Sequence, residues 1–215
     1  MKDIIIIGAG DFGKEVAWLI EEINKAKPVY HVLGFLDDDE RKIGRVINGL
    51  TCFGSIDQVF VLQKNGPVCA AIAMQDGGIR KRIVEKLAGF DAWETLIHPS
   101  VNMSDTSQIG KGSIVCAGSN ISVNTNIGDH CMFNLSVTVG HDCTISDYVS
   151  VMSGATICGH VTIGKEAYLA TNCTVVPGKK VGAHARVGAG SVVLRNVKEN
   201  VTVMGVPAKV LKLLI

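Results

Sequence analysis

Rings are scarce in this 215-residue chain: aromatics make up 5%, against 47% apolar residues in all. A core so poor in large flat side chains must be aliphatic, which suits a narrow interior. No apolar run approaches the roughly 18 residues of a membrane-spanning helix, so no membrane span is expected. The formal net charge is only +1, which gives no reason to expect nucleic acid or an anionic membrane as partner. Met1-Lys2-Asp3, four isoleucines and Gly8 make a start too short and too acidic for a secretion signal, so the expected location is cytoplasmic. The seven cysteines include no C-x-x-C. That excludes a local zinc ribbon or dithiol redox motif and predicts small buried thiols in a reducing compartment. The apolar content and 19% charged residues exclude an intrinsically disordered chain.

What the chain has in excess is glycine, 24 residues where average usage would give roughly 15. It also has a repeat. Stepping by six from Ile97 through Met103, Ile109 and Val115 to Val187 and Val193 meets a large apolar residue at every step. Four residues after many of these stands a small one, such as Ser107, Ser113, Ser119, Thr125, Cys131, Cys143, Ala155 and Cys173. A period of six fits neither a helix nor a plain alternating strand. It fits short strands joined by tight turns, with one large and one small residue pointing inward per unit. Gly110, Gly128, Gly164 and Gly182 fall 18 or 36 apart, so three units are expected to close one triangular coil. Ile127, Ile145 and Ile163 should then stack.

Before the repeat, residues 3–7 read as a buried strand leading into Gly8-Ala9-Gly10-Asp11-Phe12-Gly13 and an amphipathic helix with Val16, Leu19, Ile20 and Ile23. G-x-G-x-x-G between strand and helix is where a phosphate-binding turn belongs. A second strand, 32–36, ends in Asp37-Asp38-Asp39, whose carboxylates suit ribose or sugar hydroxyls. A third runs over 68–73, ending at Ala73, before a helix from about Ile79 to Leu87. The segment 41–54 is polar and glycine-rich and reads as a mobile loop. The expected organisation is an α/β Rossmann-like half-domain over 1–96, a solenoid over 97–204 and a tail over 205–215.

Of the six histidines, His141 has the most telling surroundings. It stands two residues after the inward Val139, hence outside the packed core, and is followed by Asp142. An imidazole there can act as a general base, with the carboxylate orienting it, provided the chain bends between them. An exposed turn histidine fits the same pattern. Zinc of the kind held by hexapeptide carbonic anhydrases would need two histidines five apart plus a third. Neither that spacing nor H-E-x-x-H occurs, so no metal is expected.

Four segments carry a resemblance: Ile6-Ile7-Gly8-Ala9-Gly10-Asp11-Phe12-Gly13, Gly34-Phe35-Leu36-Asp37-Asp38, Val139-Gly140-His141-Asp142 through Gly159-His160-Val161-Thr162-Ile163-Gly164, and Gly205-Val206-Pro207-Ala208-Lys209. Together they resemble the hexapeptide-repeat family of sialic acid O-acetyltransferases and bacillosamine-pathway UDP-amino-sugar N-acetyltransferases, over nearly the whole chain. The resemblance implies a left-handed parallel β-helix and an acetyl-CoA-dependent sugar acetyltransferase. It assigns His141 as base with Asp142 in support. Gly10, Asp11, Phe12, Asp37, Asp38 and Ala73 match the contacts to a sugar or nucleotide-sugar acceptor. Ser150, Gly159, Thr171 and Ala189 match acetyl-CoA positions, with the Gly159 N–H facing the acyl oxyanion. It further implies a homotrimer with sites between subunits. Many relatives have histidine where this chain has Ser150, proline at Ser153, and Ile-Gly-Asn or Ile-Gly-Asp where it has Ile72-Ala73-Met74. Amine and hydroxyl acceptors need the same base, so N- and O-acetylation stay open. A nucleotide-binding scaffold without activity would keep the repeat but not need His141. A nicotinamide-dependent oxidoreductase would need a second half-domain that the chain lacks.

Overall fold

The computed structural model describes residues 1–211; residues 212–215, part of the expected 205–215 tail, lie outside the described residues. The chain divides into two compact units, one of 1–75 with 79–99, the other of 76–78 with residues from Ser100 onward.

The first unit is built on β1 (Lys2–Ile7), α1 (Asp11–Ala26), β2 (Tyr30–Leu36), β3 (Val46–Ile47), β4 (Leu50–Gly54), α2 (Val59–Asn65), β5 (Val68–Ile72) and, from Ile79 on, α3 (Gly77–Lys86). The sheet order is β3-β4-β2-β1-β5, parallel except for the β3–β4 pair. All four isoleucines of β1 are buried, as a central parallel strand with both faces covered requires. Helix α1 places Phe12, Val16, Leu19 and Ile20 on its buried face, at the three- and four-residue spacing that puts side chains on one side of a helix. The segment 41–54 is not the mobile loop that its glycines suggest. Gly44 and Gly49 take positive φ at turns, while Cys52 is fully buried and β4 pairs with β2. The polar composition belongs to the turns and the aliphatic residues between them to the sheet edge.

The second unit is a three-sided, left-handed parallel β-helix whose short strands pair with strands one coil away, such as Asn120 with Thr138 and Thr144 with Thr162. From Val115 to Val193 every sixth residue is buried; Met103 and Ile109, in the first coil, are only half-buried. Ile127, Ile145, Ile163 and Val181 follow one another in register down one side. Replacing fully buried Ile163 by alanine should cost about 2–5 kcal/mol, read from chemical denaturation, because rigid coils above and below restrict collapse into the cavity.

The small inward residues also bind the coils together. Ser113 Oγ donates to the Gly128 carbonyl and accepts from the Cys131 N–H, and Ser119 makes the same pair of bonds to Asn134 and Val137. Further along, Cys131 and Cys143 direct their thiols at the Ser146 and Cys158 carbonyls, each 3.1 Å away. All seven cysteines are free and only Cys158 is partly exposed; burial pushes the Cys173 thiol up to about 12, far from a reactive thiolate.

From Gly112 to Gly190 each corner turns through one residue of positive φ, recurring every six, among them Asn124, His130, Ser136, Asp142, Tyr148, Gly154, His160, Glu166, Asn172, Gly178 and His184.

Candidate functional site

The chemistry-bearing residues lie in two places, one in each unit. In the first, β1 delivers the chain to Gly8, with φ +108, and α1 begins with Gly10 as its cap. Gly10 offers no capping side chain, so first-turn N–H groups remain available to an anion. A methyl group on Gly10 would meet nothing within 4 Å, whereas one on Gly13 would strike the Gly8 carbonyl oxygen. Gly10 therefore leaves room for a ligand and Gly13 permits the close approach of helix and strand.

Asp37 closes this turn from behind. Its Oδ2 accepts from the Ala9 N–H at 2.8 Å and from Lys42 Nζ at 2.8 Å, and its Oδ1 from the Asp39 N–H at 2.9 Å. Burial works to raise its pKa, but the Lys42 ammonium and the two N–H donors outweigh it and hold the carboxyl below its ordinary value. A depressed folded pKa means stability present above the unfolded value, about 3.9, and lost as pH falls through the folded one. Asp37→Asn should therefore lower stability by about 1–3 kcal/mol at pH 7. Thermal melts should show that difference shrinking steadily below pH 4.

The other positions matched to the acceptor separate. Asp11 is open to solvent and pairs with Lys14 at 2.9 Å; Asp38 is exposed, accepts from the Ile56 N–H and pairs with Lys86. Phe12 is a core residue at 6% exposure, so it can offer its backbone but not its ring. Ala73 is buried, its N–H held by the Ile7 carbonyl. Behind it, buried Arg80 donates to the Met74 and Gln75 carbonyls and shapes the end of the β5 connection.

The second place is the corner that follows the strand Thr138–Val139. Asp142 there takes a φ of 56°, which turns its side chain back on its neighbour, and His141 Nδ1 lies 2.7 Å from Asp142 Oδ2. Asn124, one coil earlier, donates to Asp142 Oδ1 at 3.2 Å. The bonds to His141 and Asn124 hold the Asp142 carboxyl below its usual range. An ionised carboxylate only accepts, so Nδ1 carries a ring proton, and in the neutral form of the ring Nε2 keeps its lone pair. Nε2 sits against Gly159, where a Cβ would lie 2.5 Å from it. No acceptor among the described residues takes the Gly159 N–H. One face over, Lys111 and Asp129 give their N–H groups to the aspartate of the next coil, but below Gly159 stands Pro177, which has no carboxylate.

Thr171 and Ala189 are exposed and share one corner column, where Gly190 N donates to the Thr171 carbonyl. Ser150, grouped with them by position, is 1% exposed and lies inside the packed strand Ser150–Val151. The sequence reading missed Asn124 and His160 as members of the His141 corner. Their signal was present as spacing, since each stands one whole coil from Asp142, Asn124 before it and His160 after it.

Residues 3–87 match the family described as PglD N-terminal domain. Over 215 aligned residues, 96% of this chain and 95% of the relative, the chain is 32% identical to GDP-perosamine N-acetyltransferase of Escherichia coli O157:H7. Among solved structures it resembles a histidine-to-asparagine mutant of perosamine N-acetyltransferase from Caulobacter crescentus, in complex with CoA and GDP-perosamine. That likeness has a TM-score of 0.90 and 28% identity, covering 99% of this chain and 98% of the other. It also resembles the acetyltransferase domain of PglB from Neisseria gonorrhoeae FA1090, in complex with acetyl coenzyme A, at TM-score 0.86 and 30% identity, covering 98% and 99%. No helix among the described residues is long and apolar enough to cross a membrane.

Proposed function

The chain belongs to the hexapeptide-repeat sugar N-acetyltransferases of the PglD type, and on that footing we propose that it moves the acetyl group of acetyl-CoA to the amine of a nucleotide-linked amino sugar. The observation that carries this reading is the His141–Asp142 pair, whose neutral ring would turn a proton-accepting nitrogen toward Gly159, a residue whose N–H no described residue accepts.

The nucleotide's phosphates are held at the Gly10 turn by first-turn N–H groups of α1, with Asp38 exposed nearby for hydroxyl contacts. Acetyl-CoA lies along the solenoid past Thr171 and Ala189. His141 Nε2 takes a proton from the amine as nitrogen attacks the thioester carbonyl. Asp142 stabilises the imidazolium that results. The Gly159 N–H receives the oxyanion of the tetrahedral intermediate, which collapses to amide and coenzyme A thiolate. The chemistry closes without a covalent enzyme intermediate, in keeping with the buried cysteines. The acetyl-CoA and GDP-perosamine complexes of the relatives support both ligand classes. A homotrimer with its sites between subunits completes the proposal, as the family resemblance implies; light scattering should then give three times the 22.8 kDa chain mass.

The deciding experiment follows free thiol release from acetyl-CoA with GDP-, UDP- and dTDP-linked amino sugars beside free sialic acids. Turnover of one nucleotide amino sugar is the expected result. Turnover of sialic acid alone would replace the reading with O-acetylation. Thermal stabilisation by NAD and not by acetyl-CoA would point to redox chemistry instead.

A further inference from the structure

We propose that His141, Asp142 and His160 together form a binding site for a divalent transition-metal ion, zinc being the best match, and that metal bound there switches the base off. The binding rests on geometry alone; the switching rests on the acetyl-transfer reading above.

His160 is the member that the acetyl-transfer mechanism does not use. It occupies the next corner down the column from Asp142, with a φ of 58°. The stacking of coils brings its Nε2 to 3.9 Å from Asp142 Oδ2 and sets its ring edge-on to that of His141, centroids 4.9 Å apart. One donor atom from each of the three lies within 4.8 Å of the others, the one such trio of metal-binding side chains among the described residues. Other histidine–carboxylate contacts, His31 with Asp3 and His184 with Glu166, offer two donors each.

Two imidazoles and a carboxylate suit zinc, cobalt, nickel or copper and not magnesium or calcium, which prefer oxygen ligands. Tetrahedral zinc with bonds near 2.0–2.2 Å needs donors roughly 3.3 Å apart. The observed 2.7 and 3.9 Å fall on either side of that distance, and no pair among the three donors lies more than 4.8 Å apart. Closing the set takes a swing of about 1–1.5 Å by the exposed His160 ring, on a backbone fixed by the bond from His160 N to the His141 carbonyl at 2.9 Å. The remaining coordination position faces solvent.

Metal on Nδ1 of His141 displaces the proton shared with Asp142. A neutral imidazole then carries its proton on Nε2, the nitrogen beside Gly159, which can no longer accept one. Metal and catalysis thus compete for the two tautomers of one ring.

Zinc chloride titrated into the metal-free full chain, against a chromophoric zinc indicator, should show one micromolar site per chain. Cobalt should give visible absorption bands of a low-coordinate site. His160→Asn keeps a residue suited to the left-handed corner, as Asn124 and Asn172 are, and should weaken zinc binding roughly tenfold or more. Cys158→Ser, removing the nearby half-buried thiol, should leave binding unchanged. Absence of one-to-one binding at about 100 μM zinc, or undiminished binding in both His160→Asn and His160→Ala, overturns the site. Loss of binding in Cys158→Ser does the same. Acetyl transfer should fall with zinc occupancy and recover with EDTA; full activity at saturating zinc overturns the switch and leaves the site standing. An enzyme without acetyl transfer leaves the binding titration readable and refutes the other proposal.

Discussion

His141→Ala should lower kcat/KM for acetyl transfer by about 10²–10⁴-fold, the usual contribution of a positioned general base. Stability should barely move, because the ring is half exposed. The loss should sit in kcat, since the imidazole is asked to receive a proton and not to hold either substrate. The melting temperature and far-UV dichroism separate the effect from simple damage: both should match those of the parent while turnover falls. Equal loss of acetyl-CoA affinity and turnover would place His141 in binding, and unchanged turnover would remove it from the mechanism.

Gly159→Ala should be nearly as damaging for a different reason. The backbone at Gly159 is not in the left-handed region, so alanine adds no strain of its own. The new methyl instead meets the His141 ring at 2.5 Å from Nε2, 2.7 Å from Cε1 and 3.0 Å from Cδ2. Contacts that short expel the imidazole from its position, and a displacement of about 1 Å in a catalytic group can cost 10²-fold. Asp142 then holds the histidine in a geometry that no longer serves. Kinetics should show kcat falling about 10²-fold, with the melting temperature almost unchanged. A crystal structure of the variant should show the ring rotated away; an unmoved ring with normal turnover would contradict the steric account.

The solenoid was legible in the sequence because its rule is rigid: each coil has the same length, so Val115 through Val193 never leave phase. The first unit was legible where strands are buried on both faces, as in β1 and β5, and hidden where the chain mixes turn and strand. Short β4 was masked by the glycines around it, yet Cys52 in its middle is fully buried. At the candidate site, His141 and Asp142 could be paired because they are neighbours. Asn124 and His160 could not be placed by local spacing; only the coil length brings them to the same carboxylate. Exposure was harder still. The family resemblance grouped Phe12 and Asp37 with Gly10, and Ser150 with Thr171, but packing turns Phe12, Asp37 and Ser150 inward.

The uniform coil also gives this molecule a reading frame. Strand partners stand one coil apart on all three faces, as Asn120 and Thr138, Asn126 and Thr144, and Met132 and Ser150 do. Removing one whole coil of chain beyond His160 would shorten the tower by one floor and leave every lower residue on its own face. Removing a single hexapeptide would keep the interior aliphatic, since large residues still meet large ones, while carrying each exposed corner a third of the way round. Such a protein would keep its packing and yet carry Thr171 and Ala189 to another face. Length changes in this unit are therefore judged by their remainder on division by the coil length, not by their size.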